Sequence, residues 1–227
     1  MLLKRWEELP IEMQIEEVRP YYDLLVKKRT SLFLKRLFDV IVSFVMLVAI
    51  SPILILISYL ISRDSSGGVF FRQERVTQYG KKFKIHKFRT MVADADKIGS
   101  AVTTENDVRV TKIGKTLRKY RLDELPQLID IFEGNMSFVG TRPEVTKYVE
   151  QYTPEMMATL LLPAGVTSRA SIKYKDEAML LNAANDVDAV YVEKILPEKM
   201  KYNLDSIKNF NILDDFFIMI ETVVAVL

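Results

Sequence analysis

The chain has 227 residues, 49% of them hydrophobic, and its 32 basic and 30 acidic side chains leave a formal net charge of +2. That length holds one sizeable domain, or a smaller domain with a membrane element, and the balanced charge gives no whole-chain argument for nucleic-acid binding. With no cysteine and one histidine, His86, the chain cannot form disulfides, thiolate nucleophiles, thiolate-bound zinc or a histidine metal cluster, so a metal would be a hard cation on carboxylates, Mg²⁺ being the natural candidate.

Residues 1–31 read as a charged, partly helical lead-in broken at Pro10 and Pro20, and Glu7 and Glu8 interrupt it before a secretory signal can form. Residues 40–62 are an uncharged run of 23 between Asp39 and Arg63. As a helix this run spans about 34 Å at ~1.5 Å per residue, enough for a bilayer core of ~30 Å. Its flanks are both basic, with Lys27, Lys28, Arg29, Lys35 and Arg36 before it and Arg63, Arg72, Arg75, Lys81, Lys82 and Lys84 among those after it. The positive-inside rule therefore places both ends in the cytoplasm. Ser51-Pro52, near the middle, removes an amide and frees a carbonyl near Val48, while the serine hydroxyl favours a bend. The expectation is a re-entrant helical hairpin over 32–64, preferred to a kinked single span.

"SSGG" (65–68) is a turn into a short antiparallel ribbon built from "VFFRQERV" and "YGKKFKIHKFRTM". Residues 92–122 look helical in parts, with breaks at Gly99 and Gly114. A helix is predicted over Glu124–Glu133, with Leu125, Leu128, Ile129 and Phe132 on one face and Gly134 ending it. Another short helix is expected over 144–151, and "LLLPAGVTSRASIKYKDEAMLL" mixes a turn with a strand-like run. The tail, "ILDDFFIMIETVVAVL", is an apolar-faced helix that packs inside or lies on the membrane, its stripe expected to serve as core rather than as a partner surface. The fold class is α+β and mainly helical: a lead-in (1–31), a re-entrant membrane helix (32–64) and a small catalytic domain (65–227) with interfacial amphipathic helices and short strands.

The chemistry concentrates in "YRLDELPQLI". Asp123 is a plausible N-cap, with Pro126 in the first turn where a missing N–H costs little. The same helix mouth offers amides to an anion, and Arg118 and Arg121 lie within two turns of it. Arg75, Lys87, Arg89 and Arg142 come from the other basic motifs, and together these cations suit a diphosphate. Two adjacent carboxylates, Asp123 and Glu124, suit Mg²⁺ on that diphosphate. The inferred chemistry is phosphoryl transfer, in which a carboxylate can itself attack phosphorus. His86 reads as structural. A solvated basic strand is the plain alternative for Lys87 and Arg89, and a turn for Arg142.

In this order, "KRLFDVIVSFVMLVAISPILILI", "FFRQERV", "KIHKFRTM", "DVRVTKIGKTLRKYRLDELPQLIDIFEGNMSFVGTRPE" and "PAGVTS" resemble the bacterial sugar transferase family of monotopic phosphoglycosyl transferases, over residues 32–227. The resemblance implies transfer of a sugar 1-phosphate from a nucleotide diphosphate sugar, usually a UDP-sugar, to polyprenyl phosphate. Polyprenyl diphosphate sugar and UMP would be the products, in the first lipid-linked step of a surface glycan. It implies Asp123 as nucleophile, Glu124 on Mg²⁺, Arg118 on phosphate and Arg142 seating the donor. Ser51-Pro52 would form the bend of the re-entrant helix, with Lys35 and Arg36 at lipid headgroups. The setting it implies is the bacterial inner membrane with the catalytic domain facing the cytoplasm; a homodimer is left open.

The chain departs from the family's pattern at Thr77, Asn135 and Thr141, and "RASIKYKDE" replaces a more familiar run after "PAGVTS", so the sugar is not legible. A membrane-anchored scaffold without catalysis is the rival reading. A nucleic-acid module resting on residues 72–89 is poorer, given the balanced charge.

Overall fold

The computed structural model describes residues 3–93, 95, 107–177 and 186–226. A short helix, α1 (Arg19–Val26), leads into α2, which runs from Arg29 to Asp64 as one helix of 36 residues. At ~1.5 Å per residue α2 is about 54 Å long. The hairpin expected over 32–64 is not seen: Ser51-Pro52 lies inside one helix, unbroken at Pro52, and the reason is local. Pro52 has no N–H for the Val48 carbonyl, and the Ser51 hydroxyl donates to that carbonyl instead, at 2.8 Å.

One stripe of α2 faces the rest of the chain along its whole length. Leu32 joins the core formed by Leu9, Met13, Leu25 and Leu161; Leu47 and Ile50 pack on Phe83, Leu128 and Ile131; Ile57 and Ile61 pack on Phe88 and Leu117. With the buried Lys35, Asp39 and Ser43 and the partly buried Leu54 between them, these positions recur every three or four residues, as a one-sided helix requires. The opposite face is apolar and bare: Phe44, Val45, Val48, Ile55 and Tyr59 are all exposed. Water is a poor solvent for so large an apolar face, and lipid is the natural one. α2 is also the one helix among the described residues long and apolar enough to cross a membrane.

Lys35 and Arg36, expected at headgroups, have partners inside the protein. Lys35 is 5% exposed and pairs with Asp215 at 2.5 Å. Arg36 donates to the carbonyls of Ile131 (2.6 Å) and Phe132 (2.9 Å), closing the end of the helix that follows the acidic pair.

The ribbon forms as expected: β1 (Phe70–Val76) and β2 (Lys82–Phe88) are antiparallel, with Phe70 opposite Phe88 and Val76 opposite Lys82. Beyond it, α3 covers Lys112–Lys119 and α4 covers Gln127–Glu133. Gly114 does not break α3 but sits inside it, where a Cβ would lie 2.0 Å from the Thr90 carbonyl oxygen. Gly99 falls outside the described residues. Gly134 ends α4 at φ 92°, as read from the sequence. The buried face of α4 is carried by Gln127, Leu128, Asp130 and Ile131, whereas Phe132 turns outward to meet Phe44 of α2 at 5.9 Å. The face expected to be shared is thus split, Leu128 turning inward and Phe132 outward.

β3 (Met136–Val139) pairs in parallel with β4 (Ala164–Thr167), and α5 (Thr146–Val149) lies between them in sequence. Gly140 and Gly165 meet back to back; a Cβ on Gly165 would lie 2.1 Å from the Gly140 nitrogen, so no side chain fits there. The run expected to be strand-like after Thr167 is instead a helical turn, α6 (Arg169–Lys173), capped by the Ser168 hydroxyl accepting from Ser171 N–H at 3.0 Å. α7 (Val187–Val190) passes through a π turn at Tyr191–Ile195 into α8 (Leu196–Lys208), and α9 (Ile212–Val226) follows. Of the apolar stripe on α9, Ile218 is buried, while Phe217, Ile220, Val223 and Val224 are exposed. This stripe is therefore mostly surface rather than core, and its apolar side matches that of α2.

Candidate active site

The acidic pair lies in a turn between two helices. A 3₁₀ turn at Leu122–Glu124 links α3 to α4, and Arg121 enters it in the left-handed conformation, φ 55° and ψ 21°. A non-glycine residue there stores roughly 1–3 kcal/mol of strain. Asp123 is not the N-cap expected: α4 begins at Gln127, behind Pro126, with no side chain capping it. The seven-residue α4 therefore does not supply the expected anion seat, and cationic side chains take that part.

Glu124 is the better buried of the two acids. Its Oε1 accepts from Lys87 Nζ at 2.7 Å and Arg142 Nη2 at 2.6 Å, which ties β2, the turn and the segment after β3 together at one atom. Burial alone would push the Glu124 carboxyl up; the charges and hydrogen bonds of Arg142 and Lys87 outweigh it and hold the group well below the usual carboxylate range. Arg142 is correspondingly raised, chiefly by Glu124. Lys87 is lowered by burial despite Glu124 beside it. Asp123 moves the other way: burial and the neighbouring Glu124 raise it, against Lys87 and Arg118.

Asp123 opens onto a cavity of about 510 Å³ whose lining includes Arg72, Arg75, Lys87, Arg89, Arg109 and Arg118. Of these, Arg75 donates to the Pro143 carbonyl (3.1 Å) and the Gln73 side chain (2.7 Å). Arg89 donates to the carbonyls of Ser65 (2.9 Å) and Ser66, so it also fastens the turn after α2. The Arg118 guanidinium has no hydrogen-bond partner among the described residues and faces Asp123 electrostatically. Arg142 lines a separate cavity of about 420 Å³ on the Glu124 side, with Met46 of α2 and Ala225 of α9 at its border. The structure thus brings Asp123, Arg75, Lys87, Arg89 and Arg118 into one cavity, with Glu124 and Arg142 across the turn. Ser51, Pro52, Lys35 and Arg36 belong to α2 and its contacts. Arg72 and Arg109 were not singled out as site residues. Nothing in the local sequence separates them from surface arginines until β1 and the segment before α3 come together.

His86 is structural in the way expected, and its partner is Asp130. The buried Asp130 carboxylate receives the His86 backbone N–H and faces its Nδ1, both at 2.8 Å. With Glu133 these residues offer ligand atoms within 4.8 Å of one another, but both Asp130 oxygens are engaged by His86, making the group a clamp between β2 and α4.

A carboxylate at a cation-lined cavity, beside a helix with a large bare apolar face, fits a membrane-associated protein with a site suited to an anionic ligand. The chain belongs to the bacterial sugar transferase family, whose sequence profile matches residues 30–227. It is 31% identical over 198 residues to a UDP-N-acetylgalactosamine-undecaprenyl-phosphate N-acetylgalactosaminephosphotransferase of Aeromonas hydrophila, covering 86% of this chain and 44% of that protein. It is 42% identical over 160 residues to a UDP-glucose:undecaprenyl-phosphate glucose-1-phosphate transferase of Klebsiella pneumoniae, covering 68% and 34%. It is 31% identical over 207 residues to the exopolysaccharide production protein ExoY of Sinorhizobium fredii, covering 85% and 84%. The chain spans less than half the length of the first two of these relatives.

Proposed function

We propose that this chain moves a sugar 1-phosphate from a nucleotide diphosphate sugar, a UDP-sugar in the first instance, onto polyprenyl phosphate at the cytoplasmic face of the inner membrane. UMP and polyprenyl diphosphate sugar are the products, and the step begins a surface glycan. The observation that carries this reading is Asp123 at the wall of a cavity lined by six cations. The activities named for the relatives point to the same chemistry.

In the first step an Asp123 carboxylate oxygen attacks the sugar-bearing phosphorus. The bond from that phosphorus to the bridging oxygen breaks, and UMP leaves with the electron pair. In the second step a phosphate oxygen of the acceptor attacks the same phosphorus, and the bond to Asp123 breaks to restore the carboxylate. The environment that raises Asp123 makes its ionised form less stable and hence more basic, while Lys87 and Arg118 hold it ionised. Lys87, Arg75 and Arg118 neutralise the diphosphate, and Arg142 orients the donor from across the turn.

The residues fit Mg²⁺. Lys87 and Arg142 converge on Oε1 of Glu124 and leave Oε2 without a hydrogen-bond partner among the described residues, one residue along the chain from Asp123. These two carboxylates would hold the ion, which supplies charge neutralisation to the donor phosphates when bound. Isolated membranes containing the chain, given polyprenyl phosphate and a panel of UDP-sugars, should release UMP from at least one donor. Failure with every nucleotide sugar tried, from protein that melts cooperatively, would overturn this function.

We read α2 as re-entrant, with both ends on the cytoplasmic side. Support comes from one stripe of α2 lying on the same domain from Leu32 to Ile61, which a helix leaving that domain to cross the bilayer cannot do. The chain lacks cysteine, so single cysteines at the exposed Glu17 and Val108 report topology cleanly. Both should react with a membrane-impermeant maleimide only after permeabilisation; labelling of the Glu17→Cys protein in intact cells would show that α2 crosses.

A further inference from the structure

The proposed two-step route constrains where the acceptor can bind, and this inference rests on that route. Displacement at phosphorus proceeds with the incoming and leaving oxygens roughly in line. UMP leaves opposite Asp123, and in the second step Asp123 is itself the leaving group. The acceptor phosphate must therefore attack from the side UMP has vacated. Both half-reactions therefore use the cavity onto which Asp123 opens.

A polyprenyl phosphate in the Asp123 cavity needs an apolar path from lipid to the cations. Phe88 is buried against Ile57 and Ile61 of α2. Phe70 stacks on Phe88, with ring centroids 5.6 Å apart and planes 9° from parallel. Phe70 and its neighbour Phe71 are each 44% exposed and line the cavity with Met91 and Val92. Phe70 and Phe71 are thus the exposed end of an apolar cluster anchored on α2, set at the mouth of the cavity. Arg72 and Arg75 follow on the same strand, so one strand presents apolar side chains first and cations next. That order matches an amphiphile with an anionic head and a long apolar chain.

We infer that Phe70 and Phe71, with Met91 and Val92, seat the first isoprene units of the acceptor and deliver its phosphate to the position UMP leaves. The mouth of the donor cavity is thereby also the acceptor's seat, and the two substrates exclude each other there.

The half-reactions can be measured apart. Protein incubated with a UDP-sugar labelled in the sugar, without acceptor, should take up label and release one equivalent of UMP; adding polyprenyl phosphate should then discharge the label. Phe71→Gln should leave labelling and donor KM within about twofold of wild type and raise the acceptor KM roughly tenfold or more, the effect expected from losing one large apolar contact. Phe71→Leu keeps an apolar surface and should restore most of that loss. With a short, water-soluble isoprenyl phosphate the variants and wild type should converge.

If Phe71→Gln and Phe71→Leu both weaken the donor step, the aromatic pair serves the nucleobase and the inference is wrong. An unchanged acceptor KM in Phe71→Gln and in Phe70→Leu would overturn it as well. Wild-type protein that takes up no label and releases no UMP would sink the underlying function instead, which keeps the two failures distinct.

Discussion

Replacing Asp123 with Asn should abolish covalent labelling by a sugar-labelled donor and lower UMP release by about 10⁴-fold or more, the scale at which removal of a nucleophile acts. The same substitution should leave the fold intact and raise its melting temperature. Asn is nearly isosteric with Asp, and the Asp123 carboxylate makes no hydrogen bond to another side chain among the described residues. Burial and the adjacent Glu124 raise its pKa above the ordinary carboxylate value. A raised pKa means that this group's contribution to stability is present below the unfolded pKa, about 3.9, and is lost as pH rises through the folded value. At neutral pH the ionised Asp123 therefore costs the fold stability, and the amide relieves that cost. Lost activity with a gained melting temperature is the mark of a group kept for chemistry against its own electrostatics. Normal labelling in Asp123→Asn would move the nucleophile elsewhere. Lost labelling with a lowered melting temperature would make Asp123 a structural residue.

How far the sequence goes can be judged at the same turn. Adjacent acids among basic residues are legible as phosphate chemistry because charge type and local spacing are written in order along the chain. Their division of labour is not, because it depends on residues distant in sequence. Lys87 and Arg142 select Glu124 as their common acceptor only once β2 and the segment after β3 converge on it. The ribbon and the glycine at the end of α4 were readable for the same local reason, since residue pattern and turn chemistry act over a few positions. The misreadings come from tertiary context. Phe132 shares a periodic face with Leu128 in the sequence but is exposed beside Phe44, and α9 carries an apolar stripe that is largely surface. A hydrophobicity pattern records only that a face avoids water; it does not say whether protein or lipid covers it. Lys35 shows the reverse error: a lysine at the base of a membrane helix reads as a headgroup contact, yet Asp215, 180 residues away in sequence, draws it inside. Thr77, one of the departures from the family pattern, is also explained only in three dimensions. Its hydroxyl donates to the Asn135 carbonyl at 2.6 Å and accepts from Ala164 N–H at 3.0 Å, joining the turn of the ribbon to the β3–β4 sheet.

Glu124→Gln should act oppositely on stability and in the same direction on activity. The wild-type carboxylate, 13% exposed, holds Lys87 at 2.7 Å and Arg142 at 2.6 Å through one oxygen. An amide keeps an acceptor atom but no charge, so two cations remain poorly solvated without a counter-ion. Breaking a buried ion pair from one side typically costs about 3–5 kcal/mol. For a domain of this size that corresponds to a melting temperature lower by roughly 6–20 °C. The pH dependence supplies the sign. Glu124 is depressed in the fold, so its contribution is present above the unfolded value of about 4.3 and is lost as pH falls toward the folded one. Wild-type protein should therefore lose this part of its stability on acidification, and the difference between wild type and Glu124→Gln should shrink as pH falls below about 4. Turnover should drop by at least about 10²-fold, since the variant loses a carboxylate oxygen proposed to hold Mg²⁺ and lets Arg142 and Lys87 shift from their common anchor. Melting curves across pH and labelling by the donor measure the two effects in one preparation. A melting temperature unchanged at neutral pH would show that Glu124 does not bind the two cations together, and Arg142 would then have no anchor from which to orient a donor.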